Sequence, residues 1–275
     1  MIIGFVGAGN MATALIQGLL AAKVALASNI LAADIDDARL SRLRNAYGIT
    51  IAEDNLALVK RADVVILAVK PQVLDSLLSE IGPHVPAESL VVSIAAGVPL
   101  AALESRFLPG ARLVRAMPNT AATVLTSATA LAAGTHATQA DLDAVKVLFE
   151  AVGKVVLVND ADLDAVTGLS GSGPAYVLVM IEALADAGVR AGLQRPTALL
   201  LAAQTVYGTA KLVLETGEHP ARLKDLVTSP GGTTLAGLYA LEAGGLRKAV
   251  MDAVDAATKR SAELAKVAST RLHRS

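Results

Sequence analysis

The chain has 275 residues, a formal net charge of −1 and no cysteine. This length suits one large domain or two ordinary ones and allows a sizeable core. Near-neutral charge gives no general attraction to nucleic acid or to an anionic membrane. The missing cysteine excludes disulfides, thiolate metal sites and a cysteine nucleophile, in keeping with a reducing cytoplasm. Hydrophobic residues make up 53% of the chain but aromatic ones only 3%, so Ala, Leu and Val carry the core. The uncharged stretch 116–140 holds Pro118, Asn119 and several threonines, and 165–181 is interrupted by Gly168, Gly171, Gly173 and Pro174. Neither reads as the run of about 20 apolar residues that spans a bilayer. The start, MIIGFVGAGN, has no basic segment before its apolar run, so no secretory signal is expected. The expectation is a soluble protein with an apolar surface covered in an oligomer.

Up to residue 115 the chain alternates short apolar runs with helical spacing. Strands are expected at 2–6, 30–33, 64–69 and 90–94, and helices at 11–20, 38–47, 55–60 and 73–81. That alternation predicts a parallel sheet with helices on both faces. Further strands are expected at 112–116, 126–132 and 154–157, with a helix over 139–152. After about residue 160 helical patterns follow one another, at 174–189, 196–214, 220–227, 233–242 and from 246 to about 270. Gly173-Pro174 reads as a helix entry, because proline suits the first turn. The first two of these helices are apolar on most faces. Such helices must be covered all round, and a small helical domain can hardly do that alone, so a subunit interface is expected here.

GAGNMA at 7–12 follows the first strand and opens a helix. This is the dinucleotide pattern G-x-G-x-x-A. Gly7 permits the tight turn, Gly9 lets the backbone approach a pyrophosphate, and Ala12 lets helix and sheet pack closely. The second strand ends at Asp34, where an acid holds the ribose of NAD and repels the 2′-phosphate of NADP. A helix-capping role for Asp36 or Asp37 stands beside that reading. Lys70, at the end of the third predicted strand, faces the ligand crevice or is a solvated strand-end lysine. Ala95-Ala96-Gly97 and Met117-Pro118-Asn119 close later strands with small residues and an amide, which suit a flat nicotinamide ring or a plain loop. GLSGSGP at 168–174 and SPGGTT at 229–234 each precede a helix. Either one offers free N–H groups to a small carboxylate, or is capped by Ser172, Thr233 or Thr234. His84, His136, His219 and His273 are scattered, without metal-ligand spacing. Lys259, Arg260, Lys266, Arg271 and Arg274, in the last helix and its tail, complement a helix dipole rather than bind nucleic acid.

Together these motifs resemble the 1-pyrroline-5-carboxylate reductase family. The resemblance rests on GFVGAGNMA (4–12), AVKPQ (68–72), VSIAAGV (92–98), RAMPNT (115–120), GLSGSGPAY (168–176), VLET (213–216), LKD (223–225) and SPGGTT (229–234). It implies an α/β chain: an N-terminal Rossmann-type dinucleotide-binding domain over 1–160, and a C-terminal all-α substrate-binding and dimerisation domain over 161–275. It implies reduction of a cyclic imine to L-proline by NADPH or NADH. By matched position, Gly9, Asn10 and Met11 touch the pyrophosphate, and Asn55 the adenosine side. Val69, Lys70, Ala95, Ala96, Gly97 and Asn119 surround the ribose and nicotinamide. Gly232, Thr233 and Thr234 offer N–H groups to the substrate carboxylate, and the Thr234 hydroxyl faces the ring nitrogen. Asp34 departs from the small polar residues of NADPH-preferring relatives. The resemblance also implies a homodimer, with a decamer of five dimers as a further assembly. The alternatives are a β-hydroxyacid dehydrogenase-like or other imine reductase, with Lys211 or Lys224 as proton donor, and a non-catalytic NAD(P)-binding protein.

Overall fold

The computed structural model describes residues 1–274, with side chains described as far as Leu272. The expectations for the His273 and Arg274 side chains therefore lie outside the described residues. Contacts gather the chain into two units: Met1–Ser172 together with the chain from Asp255 onward, and Gly173–Val254.

The first unit begins with β1 (Ile3–Val6), α1 (Asn10–Ala21), β2 (Ile30–Ala33), α2 (Asp37–Tyr47), β3 (Thr50–Ile51) and α3 (Asn55–Val59). It continues through β4 (Val64–Leu67), α4 (Pro71–Ile81), β5 (Leu90–Ser93), α5 (Leu100–Glu104) and β6 (Arg112–Met117). Then come β7 (Ser127–Ala133), α6 (Gln139–Glu150), β8 (Gly153–Leu157) and α7 (Leu163–Val166). Every residue of β1, β2, β4 and β5 is buried, which is why they read as continuous apolar runs. β3 has two residues and α5 five, too short to show a period, and neither is expected from sequence.

The strands form one eight-stranded sheet in the order β3-β2-β1-β4-β5-β6-β7-β8. Pairing is parallel as far as β6. β7, for which no direction is expected from the sequence pattern, runs antiparallel to β6, and β8 is parallel to β7. The β6–β7 link is a 3-10 turn over Thr120–Val124. A parallel return needs a dozen or more residues, which this link lacks. Alternate strand residues feed two separate cores. Ile3, Phe5, Ile30 and Ile66 pack with Leu15, Ile16 and Phe149 on one face. Val6, Leu31, Val65 and Leu67 pack with Leu58, Leu74 and Leu78 on the other. Burying each large side chain contributes about 1.5–3 kcal/mol. The buried Arg115 guanidinium lies 2.8 Å from Asp160, whose other oxygen accepts the Leu100 N–H at 3.0 Å. That chain of contacts ties β6 to the start of α5.

The second unit holds α8 (Gly173–Arg190), α9 (Arg195–Thr216), α10 (Pro220–Leu226), α11 (Thr233–Ala243) and the start of α12 (Leu246–Arg274). α8 and α9 pack on each other through Ala185, Gly188, Ala198 and Ala202. The Tyr176 hydroxyl donates to the Ala253 carbonyl at 3.3 Å. Elsewhere these helices expose their apolar residues, including Leu178 at 65%, Leu200 at 68% and Leu214 at 71%.

GLSGSGP does not interrupt the helix. A π turn over Thr167–Gly171 joins α7 towards α8, and the Ser172 N–H donates to the Thr167 carbonyl at 2.8 Å. The expectation of an anion nest or a Ser172 cap at this cluster is corrected, since its amides serve the helical ladder. Asp160–Arg190 is one helical run, and it and Arg195–Thr216 are long and apolar enough to cross a membrane by length and composition. Only 11% of either apolar window is buried within the chain, so covering these helices falls to something outside it.

Candidate active site

The strand order reverses between β1 and β4, and in an open α/β sheet ligands bind outside the carboxyl ends of the strands at that point. Gly7 stands there with φ +101°, donating its N–H to the Ala33 carbonyl at 2.8 Å. A Cβ on Gly7 would lie 2.6 Å from the Ala68 carbonyl oxygen at the end of β4. Glycine is thus required on both counts. Gly9 is the N-cap of α1 with no side-chain cap, and a Cβ there would meet nothing within 4 Å. Its outer side is open, and the N–H groups of Asn10 and Met11 begin the helix beside it. Ala12 is fully buried against the sheet. An uncapped helix N-terminus behind a bare glycine fits a dinucleotide pyrophosphate in shape and charge.

Asp34 follows β2 with its side chain 8% exposed. Its Oδ2 accepts the Ala8 N–H at 2.6 Å and its Oδ1 the Asp36 N–H at 2.9 Å. Arg39 Nη1 lies 3.8 Å from the same Oδ2, while its Nε contacts Asp36 at 3.1 Å. The helix cap is Asp36, which accepts from Ala38 and Arg39 N–H. The capping role therefore belongs to Asp36 and leaves Asp34 beside the glycine loop. Asn55 opens α3, and its amide lies 3.4 Å from both Glu80 oxygens. Lys70 is exposed as the N-cap of α4, after the half-buried Val69.

Ala95, Ala96 and Gly97 follow β5, with Ala96 exposed between two buried neighbours. Asn119 is more committed than its sequence suggests. Its Oδ1 accepts the Ala121 N–H at 3.2 Å and its Nδ2 donates to the Ser170 carbonyl at 3.0 Å. Its backbone N–H donates to Ser127 Oγ at 3.1 Å, and that hydroxyl is 3.2 Å from Thr129 Oγ1. This buried hydroxyl pair was not singled out from sequence, although hydroxyls at alternate positions of an apolar strand are the visible signal. A Cβ on Gly171 would lie 2.6 Å from Met117 Cε. The small residues of GLSGSGP thus let the RAMPNT turn pack closely.

In the helical unit Gly232 is the N-cap of α11, without a side-chain cap. Its N–H donates to the Ser229 carbonyl at 3.0 Å. The N–H groups of Thr233 and Thr234 open the helix, where the first turn leaves amides unpaired. Thr234 is half-buried and Thr233 exposed. Lys211 pairs with Glu215 at 3.6 Å on an exposed face, and Lys224 is exposed. His84, His136 and His219 lie exposed in turns or at a helix start, as expected.

A dinucleotide fold at residues 2–97, described as "NADP oxidoreductase coenzyme F420-dependent", is matched by the chain. With the open glycine loop it defines a nicotinamide-dinucleotide oxidoreductase. A second family description, "Pyrroline-5-carboxylate reductase dimerisation", matches residues 160–264. A pyrroline-5-carboxylate reductase of Methanosarcina acetivorans is 51% identical, covering 96% of this chain and 98% of its own. The solved structure of the Coxiella burnetii enzyme of that name superposes with TM-score 0.90 at 36% identity, covering 95% and 97% of the two chains. That of the Plasmodium falciparum enzyme with NADP bound gives 0.86 at 31%, covering 96% and 98%. The chain belongs to the pyrroline-5-carboxylate reductase family.

Proposed function

We propose that the chain reduces 1-pyrroline-5-carboxylate to L-proline with NADPH or NADH, the last step of proline biosynthesis. The observation that carries this is the pairing, in one chain of this family, of two unlike backbone cradles. One is the bare Gly9 turn before α1, and the other is the uncapped start of α11 beside two threonine hydroxyls. A dinucleotide sensor needs only the first.

In this reading Gly7, Gly9, Asn10 and Met11 hold the pyrophosphate, and Asp34 and Asn55 the adenosine side. Val69, Lys70, Ala95, Ala96, Gly97 and Asn119 enclose the nicotinamide ribose and ring. An ionised carboxylate offers about four acceptor positions, and Asp34 spends two on Ala8 and Asp36, leaving room for ribose hydroxyls. Gly232, Thr233 and Thr234 form the substrate-carboxylate turn, with the Thr233 and Thr234 amides as the free donors. Thr234 Oγ accepts from the ring N–H and fixes which face of the imine is presented.

When bound, the reduced nicotinamide supplies the hydride. The cyclic imine enters protonated on nitrogen, so its positive charge is neutralised as the carbon–hydrogen bond forms. No oxyanion develops, so the site needs no histidine or metal to stabilise one. The work of this chain is orientation at near-attack distance.

By function the chain divides at about residue 160 into the dinucleotide half, 1–160, and the substrate and dimerisation half, 161–275, although residues 161–172 and the chain from Asp255 onward pack with the sheet-containing unit. A homodimer covers the exposed faces of α8 and α9, and five such dimers form a decamer. That cover makes a membrane unnecessary, and the charge of −1 disfavours nucleic acid, in keeping with a cytoplasmic enzyme. Turnover separates the readings. Pyrroline-5-carboxylate should drive NAD(P)H oxidation while β-hydroxyacid substrates do not. Turnover of hydroxyacids alone would favour the β-hydroxyacid dehydrogenase reading, and turnover of neither the non-catalytic one.

A further inference from the structure

The loop Ala95-Ala96-Gly97 leaves β5 without entering a regular element, and its Gly97 has φ +69°. What backs it lies far along the chain. A Cβ placed on Gly97 would be 3.4 Å from Leu264 Cβ and 3.9 Å from both the Ala265 N and the Ser261 carbonyl oxygen. These three residues belong to the part of α12 that groups with the sheet-containing unit. Further on, Leu272 is buried in the core that also holds Ala95 and Val98, with Ala268 packed against it.

That packing strip is poor in shape. Ala265 and Ala268 present single methyl groups with few dispersion contacts, so beyond Leu264 and Leu272 little side-chain shape keys the rotation of the helix. One directional contact removes that freedom. Ser261 is 4% exposed, and its Oγ donates to Asp164 Oδ1 at 2.6 Å. A hydrogen bond to a charged acceptor is among the strong ones. Rotation by one residue of a helix is about 100° with a 1.5 Å rise, enough to carry Leu264 off Gly97.

We infer that Ser261, held by Asp164, is a positioning residue for the nicotinamide-side loop. It fixes the rotation of α12 and so the backing of Ala95–Gly97. The inference rests on the proposal that this loop meets the nicotinamide. Neither residue belongs to any motif of the family resemblance above.

The test compares affinity for NADH with affinity for ADP-ribose, which lacks the nicotinamide, in the full-length protein. For NADPH the 2′-phosphorylated ADP-ribose serves. Ser261→Ala and Asp164→Ala should raise the Kd of NADH by about three- to tenfold, while ADP-ribose binding changes by less than about twofold. Asp164→Asn keeps an acceptor for the Ser261 hydroxyl and should restore near-original NADH affinity. A lowered melting temperature with an unchanged NADH to ADP-ribose ratio would overturn the inference, because a merely structural bond acts on both ligands alike. Ala96→Val, which alters the exposed face of the loop directly, separates the two claims. If it shifts the ratio and Ser261→Ala does not, only the positioning role is wrong. If it leaves the ratio unchanged, the nicotinamide is not on this loop and both fall.

Discussion

Asp34 Oδ2 accepts the Ala8 N–H at 2.6 Å, so the acid at the end of β2 braces the middle of the glycine turn that follows β1. In the proposed reading this carboxylate has two duties: it shapes the turn assigned to the pyrophosphate, and it sets the charge that the adenosine ribose would meet. A 2′-phosphate about 4 Å away is repelled by ~4 kcal/mol at an effective dielectric of about 20. Arg39, 3.8 Å away, offsets part of this. Even a quarter of it is several-fold in affinity. Asp34→Ser should raise kcat/KM for NADPH relative to NADH, while activity with both declines as the Ala8 contact is lost. Steady-state kinetics with the two cofactors reads the ratio. An unchanged ratio means that the carboxylate does not meet the ribose.

The two glycines of the turn should respond differently. Gly9 has φ −75° and open space around a Cβ, so Gly9→Val should cost no more than about 1 kcal/mol of stability, the loss of a good N-cap residue, yet abolish dinucleotide binding. Gly7→Ala forces a Cβ against the Ala68 carbonyl at positive φ. It should lose roughly 1–3 kcal/mol of stability. Thermal melts with fluorescence titration of NAD(P)H separate the two, and unaltered binding in Gly9→Val would refute the pyrophosphate assignment.

Thr234→Ala should lower activity by about one to two orders of magnitude with cofactor affinity intact. A hydrogen bond to a charged group contributes about 1.5–3 kcal/mol, and 1.4 kcal/mol is about tenfold in rate. Unaltered kinetics in this variant would remove the hydroxyl from the site.

The chain should be a dimer or larger at micromolar concentration. Leu178 and Leu200 are 65% and 68% exposed in the single chain, on helices that the family match assigns to dimerisation. Leu200→Glu or Leu178→Glu should shift the mass in light scattering towards the monomer, because an unpaired charge in a buried interface costs several kcal/mol. A monomeric mass for the unaltered chain contradicts the shared-helix account.

The sheet was legible because its central strands are buried on both faces and read as apolar runs. Ile30–Ala33 falls where the pattern puts it. The antiparallel direction of β7 is not carried by strand composition but by the short link after β6, whose length the sequence does show. The cluster Gly168–Gly173 misled for a different reason. Glycine commonly signals a turn, but Gly171 is small because Met117 Cε fills the space a side chain would take. Of the site, the glycine turn was legible and the Asp34–Ala8 contact was not. Pairing across the chain, like that of Ser261 with Asp164, leaves no local spacing to read.

The most direct measurement of the central claim is transfer of label. Pyrroline-5-carboxylate is incubated with the protein and NADPH or NADH deuterated at the transferable position, with each face of the nicotinamide labelled in turn, and the product is examined by mass spectrometry. The account predicts L-proline carrying one deuterium on the former imine carbon with one of the two labelled cofactors, in step with cofactor oxidation. Cofactor oxidation without labelled proline from either, or no oxidation at all, would contradict it.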